Sequence, residues 1–260
     1  MHNSAPNPRR SLHCAAKQYL DSRNPPRKPG DDRVMRPTSG GPVIIFDCNG
    51  VLVDSEPIAA AVLADSFKQA GVTTSADTVM RRFHGRRPAD IFVAVEAATG
   101  RKLPADFSVT VGLETLRQLR KELRPIPHAA HALTWLRGPK AVASSSPLDR
   151  MRLSLEVTGL LRFFEPRLFS ASDVRHGKPA PDLFLIAAER CQVQPADCIV
   201  VEDSAPGIAA AAAAGMTPIG FVGGSHAAGR FVSDLHAAGA RTVIADMRAL
   251  KSTIADLRGW

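Results

Sequence analysis

The chain has 260 residues, of which 45% are hydrophobic and 22% are charged, and its formal net charge is +8. This length and composition indicate a globular protein with a substantial core, formed by one large domain or by a domain with an insertion. No apolar stretch approaches the roughly eighteen residues that a membrane span needs, and the N-terminus lacks the short apolar block of a secretory signal. We therefore expect a cytoplasmic protein without a membrane partner.

Residues 1–41 carry much of the positive charge. Eight Lys or Arg against three Asp give this segment a net charge of +5 and leave +3 for the rest of the chain. The segment is rich in Pro, Asn, Ser and Gly and has no apolar periodicity, so we predict a disordered basic tail. A dispensable extension with Met35 as the true start, an organellar address, and a basic arm for anionic surfaces all remain open. The remaining charge does not indicate a nucleic-acid partner.

The cysteines do not form a recognisable pattern. Cys14, Cys48, Cys191 and Cys198 are scattered, without a CxxC pair or a His-rich partner spacing. Neither a zinc site nor a disulfide framework is therefore expected, and we predict reduced thiols.

Short apolar runs from Pro42 onward predict the strands of a parallel sheet. Their apolar continuity indicates burial on both faces, and helical segments between them are typical of an α/β, Rossmann-like fold. About ninety residues separate the first two runs, more than a crossover needs. We therefore predict a catalytic core made of residues 42–56 and 126–260, with a small α-helical cap, residues 57–125, inserted in it. The predicted strands are 42–47, 140–146, 198–203, 217–223 and 241–246.

Polar side chains stand at several predicted strand ends or in the loops that follow. They are Asp47 in "FDCNG", Ser144 in "VASSSP", Lys178 in "RHGKPAPD", and the pair Glu202 and Asp203 in "VVEDSAPG". Ligands of open parallel sheets bind at the carboxyl edge, so we expect these residues to share one site. Each of them alone could merely cap a helix. Their joint occurrence in a strand-and-loop context favours a functional site.

In order and spacing, these motifs resemble the haloacid dehalogenase-like hydrolase superfamily, from residue 43 to about residue 250. The chain is most similar to the branch with a helical cap, which includes sugar-phosphate phosphatases and β-phosphoglucomutases. The fragment "GKPAPDLF" followed by "VVEDSAPGIAAAAAAGM" strengthens that placement. The resemblance implies a Mg²⁺-dependent phosphoric monoester hydrolase for a small phosphorylated metabolite, a sugar or sugar-acid phosphate. We expect no nucleic-acid or membrane partner, and we favour a monomer.

The charges expected at such a site indicate that a metal ion is bound there. Asp47 can attack phosphorus to give an aspartyl phosphate, but a carboxylate and a phosphate repel each other. A Mg²⁺ ion held by hard oxygen ligands would bring the two anions together, and Asp47, Asp203 and Glu202 can supply such ligands. By resemblance, the backbone carbonyl of Asn49 completes the metal site.

The phosphate needs positive charge and hydrogen-bond donors around its oxygens. Lys178 offers a point charge both to the phosphate and to the catalytic carboxylate of Asp47. Ser144 and Ser145 are the predicted hydroxyl donors to the phosphate.

Asn49 departs from the pattern of the family. In its phosphatases and mutases, the residue two after the nucleophile is usually an Asp that moves protons, and an amide cannot do this near neutral pH. Losing such a catalyst removes about 10²- to 10⁴-fold in rate. The alternatives are a slow phosphatase, a catalytically impaired module that binds phosphate esters or proteins, and a trapped aspartyl phosphate. A β-phosphoglucomutase-like phosphotransferase is disfavoured, since Ala59 stands where those mutases carry a histidine.

The segment "RRFHGRR" matches the place of a substrate-specificity loop in related caps. We predict that His84, Gly85, Arg86 and Arg87 contact an anionic substrate, and His84 is also a candidate proton carrier. The alternative is a solvated basic turn. The segment "DSEP", residues 54–57, predicts the start of the first cap helix, with one of its first two residues as the N-cap, rather than a substrate contact.

Overall fold

The computed structural model of the protein describes residues 42–227 and 231–258, so the predicted basic tail lies outside the described residues. Six parallel strands form one sheet in the order β3-β2-β1-β4-β5-β6. This arrangement confirms the predicted Rossmann-like α/β class. The strands are β1 (Val43–Phe46), β2 (Lys140–Ser144), β3 (Leu168–Ser170), β4 (Cys198–Glu202), β5 (Thr217–Phe221) and β6 (Thr242–Ile244).

The chain reverses its direction of travel across the sheet at β1. From β1 it continues to β2 and β3 on one side, and later it returns to β4, β5 and β6 on the other side. Phe46, the last residue of β1, is in register with Val142 of β2 and with Val201 of β4. The loops after β1, β2 and β4 therefore emerge together at the carboxyl edge, next to the topological switch point where open α/β sheets bind ligands.

Helices flank the sheet and fill the long connection after β1. Four of them, α1 to α4, lie between β1 and β2, in the region predicted to be the cap. The remaining helices are distributed through the core. The helices are α1 (Glu56–Gln69), α2 (Ala76–Phe83), α3 (Pro88–Thr99), α4 (Phe107–Glu122), α5 (Ala129–Trp135), α6 (Leu148–Val157), α7 (Asp182–Arg190), α8 (Ala205–Ala213), α9 (Val232–Ala237) and α10 (Leu250–Arg258).

Helices α1 to α4 have a hydrophobic cluster of their own, separate from the cluster around the sheet. Its centre is aromatic: the ring of Phe107 lies 5.3 Å from that of Phe67 and 5.2 Å from that of Phe92. Aromatic pairs at such distances add to the stability gained from buried area. A separate core of this kind supports the predicted cap, and its boundaries, residues 57–125, stay a prediction.

The sheet is buried between helices. Every residue of β1 and β4 is buried, which explains the continuous apolar runs from which these strands were predicted. Phe46 packs edge-on against Phe164, with ring centroids 5.8 Å apart. Within the described ranges, no helix is long and apolar enough to cross a membrane.

Candidate functional site

Lys178 links two strand ends at the centre of the site. Its Nζ donates to Asp47 Oδ1 at 2.6 Å and to Glu202 Oε2 at 2.7 Å. Asp47 follows β1, and Glu202 ends β4, so the ammonium spans the switch point of the sheet. All three side chains are almost completely buried. The structure thus brings together residues from three of the predicted motifs.

Burial and charge set the protonation of this cluster. Burial, helped by the negative charges of Glu202 and Asp203, raises the pKa of Asp47 to about 8, although the positive charge of Lys178 opposes this rise. Burial alone would lower the pKa of Lys178, but its two carboxylate partners outweigh burial and hold it above the ordinary value. The ammonium is therefore charged, and its positive charge lies between the two buried carboxyl groups as their counter-charge.

Asp203 lies beside a different set of partners. Its Oδ2 is 3.2 Å from Nε2 of His84 and 3.0 Å from Nε2 of His226. Burial would lower the pKa of His84, but the charge of Asp203 and their hydrogen bond raise it to about 10. Burial alone would raise the pKa of Asp203, but the two imidazoles outweigh burial and hold this pKa well below its ordinary range.

Asn49 is held on both sides by hydroxyl groups. Its Nδ2 donates to Ser146 Oγ at 2.8 Å, and its Oδ1 accepts from Ser55 Oγ at 3.0 Å. Its backbone N–H donates to Asp47 Oδ2 at 2.9 Å. The amide side chain is therefore fixed between the β1 loop, the β2 loop and the start of α1, next to the carboxylate of Asp47.

A cavity of about 90 Å³ lies over these residues, between the carboxyl edge of the sheet and helices α1 to α4. Asp47, Asn49 and Asp203 line its floor, and His84, Gly85 and Arg86 line the cap side. The other polar residues in its wall are Glu56, Thr115, Ser145, Ser146 and Arg150.

The cap segment that was predicted to reach the substrate does reach this cavity, with one exception. His84 follows the last residue of α2, and its side chain is 13% exposed, so the alternative of a solvated turn does not describe it. Arg87 instead pairs with Asp90 at 2.8 Å and does not line the cavity. Arg86 lines the cavity, and Gly85 touches the core through its carbonyl.

The two predicted phosphate-binding serines differ in position. Ser144 ends β2, is fully buried and accepts from the backbone N–H of Ser146 at 3.3 Å. Ser145 lines the cavity, and its Oγ donates to the carbonyl oxygen of Gly85 at 2.9 Å. Ser145 therefore connects the core to the cap segment, a contact that sequence spacing alone did not indicate.

The "DSEP" segment begins the first cap helix, as predicted, but without a capping bond. Ser55 stands at the N-cap position of α1 and makes no side-chain cap hydrogen bond, because its hydroxyl donates to Asn49 instead. Asp54 accepts from the backbone N–H and the hydroxyl of Ser225, at 3.2 and 2.9 Å. Glu56, at the first turn of α1, lines the cavity. The N-cap position was therefore predicted, and the role of its side chain was not.

Sequence reasoning missed two charged or titratable residues of the site. His226 lies in the loop after β5, and a signal was present: "GGSH" follows a predicted strand at the carboxyl edge of the sheet. Arg150 begins α6 and lines the cavity, and Nε and Nη2 of its guanidinium are buried without a hydrogen-bond partner among the described residues. No motif in the sequence distinguished it from the neighbouring arginines.

The residues predicted to hold Mg²⁺ are chemically suited to it. Ligand oxygens of Asp47, Glu202 and Asp203 all lie within 4.8 Å of one another, and Mg²⁺ prefers hard oxygen ligands. Both oxygens of Glu202 already accept hydrogen bonds, from Lys178 and from Ser204. Asp47 and Asp203 line the cavity and Glu202 does not, so these two are the better-placed carboxylates, and a cation beside them would offset the burial and the neighbouring negative charges that raise the pKa of Asp47.

A parallel sheet with a carboxylate–lysine cluster at its carboxyl edge, facing a cavity beneath helices α1 to α4, defines a class of α/β hydrolases. A family model described as haloacid dehalogenase-like hydrolase matches residues 42–215, and the chain belongs to this family. It is 32% identical, over 70% of its length and 83% of the relative, to 6-phosphogluconate phosphatase of Escherichia coli.

Two further likenesses extend the comparison. The chain is 30% identical to the fructose-1-phosphate phosphatase YqaB of Escherichia coli, over 68% of its own length and 94% of that protein. Among solved structures, it is similar to a haloacid dehalogenase-like protein of unknown function from Agrobacterium tumefaciens, with a TM-score of 0.72 and 37% identity. That match covers 84% of this chain and the whole of the other. The likeness therefore includes both the core and the helices between β1 and β2.

Proposed function

We propose that the protein hydrolyses a small sugar or sugar-acid phosphate monoester, with Asp47 as nucleophile. Membership of the haloacid dehalogenase-like family supports a phosphoric monoester hydrolase. Two relatives named for phosphatase activity on a sugar phosphate and on a sugar-acid phosphate support this substrate class.

The observation that carries the proposal is the contact of Lys178 with Asp47. A nucleophilic carboxylate must be deprotonated, yet burial outweighs the neighbouring ammonium of Lys178 and raises the pKa of Asp47 to about 8. The ammonium at 2.6 Å favours the charged form and fixes the direction of the carboxylate. A bound Mg²⁺ ion, held by Asp47 and Asp203, would add positive charge between the carboxylate and the incoming phosphate.

The reaction then has two displacements. An oxygen of Asp47 attacks phosphorus, the bond between phosphorus and the ester oxygen breaks, and the sugar leaves as an alcohol after taking up a proton. A water molecule next attacks the phosphorus of the aspartyl phosphate, which releases inorganic phosphate and regenerates Asp47. Ser144, Ser145 and Lys178 are the proposed donors to the phosphate oxygens, with the Ser145 hydroxyl exchanging its bond to the Gly85 carbonyl for one to the phosphate.

Two proton transfers are needed, and the amide of Asn49 can supply neither. His84 and Glu56 are the titratable groups of the cavity wall that remain after Asp47 and Asp203 are assigned. Because neither stands two residues after the nucleophile, where the phosphatases of the family usually carry the proton-transferring Asp, we expect turnover to be slow.

Arg150 favours a substrate with a second anionic group. Its guanidinium lines the cavity, and within the part of the chain that the structure describes, its Nε and Nη2 have no partner. A partly buried cation without a counter-ion attracts an anion, and a carboxylate of a sugar acid matches a guanidinium well. Arg86 adds positive charge on the cap side of the same cavity.

Kinetics on a matched pair of substrates test this assignment. One sugar phosphate and the corresponding sugar-acid phosphate are compared for wild type, Arg150→Gln and Arg152→Gln. Arg152 is a matched control, since it lies on the same helix, is half-exposed and pairs with Glu165. One charge-assisted hydrogen bond is worth about 1.5–3 kcal/mol, so Arg150→Gln should raise KM for the sugar acid about 10- to 100-fold. Equal effects on both substrates would contradict the assignment.

The experiment that tests the function itself is a screen of phosphorylated metabolites with Mg²⁺. Wild type is compared with Asp47→Asn, Asn49→Asp and, as a control, Asp65→Asn on the exposed face of α1. We expect wild type to release phosphate, Asp47→Asn to lose this activity, and Asn49→Asp to gain about 10²- to 10⁴-fold in rate. Full activity in Asp47→Asn would show that another residue is the nucleophile.

Asn49 favours a second candidate function, a module that binds phosphate esters without turnover. The amide is hydrogen-bonded on both sides and has no proton to give. Under this alternative, wild type would bind the substrate but release no phosphate, and only Asn49→Asp would turn over. The same screen, with binding followed by calorimetry, separates the two functions.

A further inference from the structure

Two histidines and an aspartate converge where the cap segment meets the core. His84 comes from the end of α2, Asp203 follows β4, and His226 comes from the loop after β5. The imidazole rings of His84 and His226 lie 4.7 Å apart, and both Nε2 atoms lie near the same oxygen, Oδ2 of Asp203. One ligand atom from each residue lies within 4.8 Å of the other two.

The contact between His226 and Asp203 is close without being a well-aligned hydrogen bond. Nε2 of His226 is 3.0 Å from Oδ2, yet both ring nitrogens lack a hydrogen-bond partner among the described residues. The side chain is only 2% exposed, so it is shielded from bulk solvent. Buried polar atoms of native proteins are normally paired, and an imidazole in this state is available to a ligand.

The spacing of the three ligand atoms fits a single ion. With metal–ligand distances of about 2.0–2.2 Å, neighbouring ligands of a tetrahedral or octahedral ion are about 2.8–3.6 Å apart. The two observed distances from Oδ2 of Asp203, 3.0 Å to His226 and 3.2 Å to His84, fall in this range. Two of the three separations are therefore those expected around a common centre, and the third, between the two imidazoles, is within 4.8 Å.

The surroundings keep the ring of His226 in place. A Cβ atom on Gly50 would lie 2.6 Å from Cε1 of His226, and one on Gly224 would lie 2.7 Å from Cε1 and from Nδ1. Any side chain at either position would displace the imidazole. The ring thus occupies a close-fitting space that only glycine neighbours permit.

We propose that His84, Asp203 and His226 form a binding site for a divalent transition metal ion such as Zn²⁺ or Co²⁺. Two imidazoles and one carboxylate suit these ions, whereas Mg²⁺ prefers ligands that are all oxygen. The donor set therefore separates this site from the carboxylates of Asp47, Glu202 and Asp203, although the two sets share Asp203. Because His84 comes from the cap segment and the other two ligands from the core, a bound ion holds that segment against the sheet.

Cobalt provides a direct test, because its visible spectrum reports the ligands whether or not the enzyme turns over. The full-length, metal-free protein is titrated with Co²⁺ in excess Mg²⁺, and Zn²⁺ affinity is measured by competition. Wild type is compared with His84→Asn, His226→Asn and the control His176→Asn, whose exposed imidazole pairs with Asp182 outside the site. Circular dichroism checks that each variant is folded.

We expect wild type and His176→Asn to bind Co²⁺ with the absorption of a nitrogen-ligated ion. His84→Asn and His226→Asn should each lose this absorption and bind at least about tenfold more weakly, since loss of a ligand or of its support has effects of this size. Absence of Co²⁺ and Zn²⁺ binding in wild type would overturn the proposal. So would equal binding in all four proteins, which would place the ion elsewhere. If one of the two variants His84→Asn and His226→Asn does not fold, Co²⁺ binding by the other tests the proposal.

Discussion

Gly207 in α8 gives the sharpest test of how firmly the catalytic carboxylates are held. A Cβ atom at this position would lie 2.1 Å from Cδ of Glu202 and 2.4 Å from both of its oxygens. Non-bonded carbon atoms approach no closer than about 3.5 Å without strain, so in Gly207→Ala the carboxylate must retreat by about 1.4 Å. Its hydrogen bonds to Lys178, at 2.7 Å, and to Ser204 Oγ, at 2.7 Å, would then exceed hydrogen-bonding distance.

The expected loss of stability follows from these contacts. Overpacking of a filled site costs about 1–3 kcal/mol. Weakening a buried charge-assisted hydrogen bond costs a further 1.5–3 kcal/mol or so. Replacing a helical glycine by alanine returns only about 0.5–1 kcal/mol. We therefore expect Gly207→Ala to lower the free energy of unfolding by about 2–5 kcal/mol, and to reduce activity because Lys178 loses one of its anchors.

Urea denaturation followed by circular dichroism measures this change, with Gly112→Ala as the matched control. Gly112 is exposed in the middle of α4, and a Cβ atom there would meet nothing within 4 Å. The control should therefore gain about 0.5–1 kcal/mol through helix propensity alone. If Gly207→Ala is as stable as the control, Glu202 is not pinned against α8, and the reasoning about the buried cluster is wrong.

Two further substitutions address the charge of the site and its closure. Lys178→Met should destabilise the metal-free protein by about 3–5 kcal/mol in urea, because Asp47 and Glu202 would stay buried without a counter-charge. Adding Glu202→Gln should recover part of that loss, and an unchanged unfolding midpoint in the single variant would contradict the role of the ammonium. Ser145→Ala removes the hydrogen bond to the Gly85 carbonyl, worth about 0.5–1.5 kcal/mol, and should raise KM by up to about tenfold. Ser145→Thr keeps the hydroxyl and should restore KM, so equal defects in both variants would exclude this link to the cap.

The strands that are buried on both faces could be predicted, and so could the edge strand β6, but the other edge strand, β3, could not. β1 and β4 are continuous apolar runs because helices cover both of their faces. β3 has only three residues, Leu168–Ser170, and pairs with β2 alone. Its apolar run consists only of Leu168 and Phe169, which is too short to distinguish a strand from a loop. Apolar spacing predicted cap helices at residues 58–71, 88–100 and 108–123 and did not indicate α2, although α2 places His84 at the site.

Some residues of the site could likewise be predicted from the sequence, and others depend on tertiary packing. Asp47, Glu202 and Asp203 lie at or just after the ends of predicted strands, so the parallel sheet alone brings them to one edge. Arg150 depends on how α6 packs over the cavity, which no local pattern in the sequence specifies. The same holds for Ser55, whose hydroxyl could cap its own helix and instead turns to Asn49. Local sequence rules identify a possible hydrogen-bond partner for a side chain, and tertiary packing determines which partner it binds.

The surroundings of Asn49 explain how the chain can carry an amide there without changing its fold. The hydroxyls of Ser146 and Ser55 can each donate or accept, so a carboxyl group of the same shape would also find two partners. The difference between an amide and a carboxyl group at this position therefore concerns protons rather than packing. A second negative charge beside the buried carboxylate of Asp47 would be unfavourable, which favours the protonated form of the carboxyl group that Asn49→Asp introduces. A protonated carboxyl is the state that a general acid needs, so this substitution changes the chemistry of the site while the fold is kept.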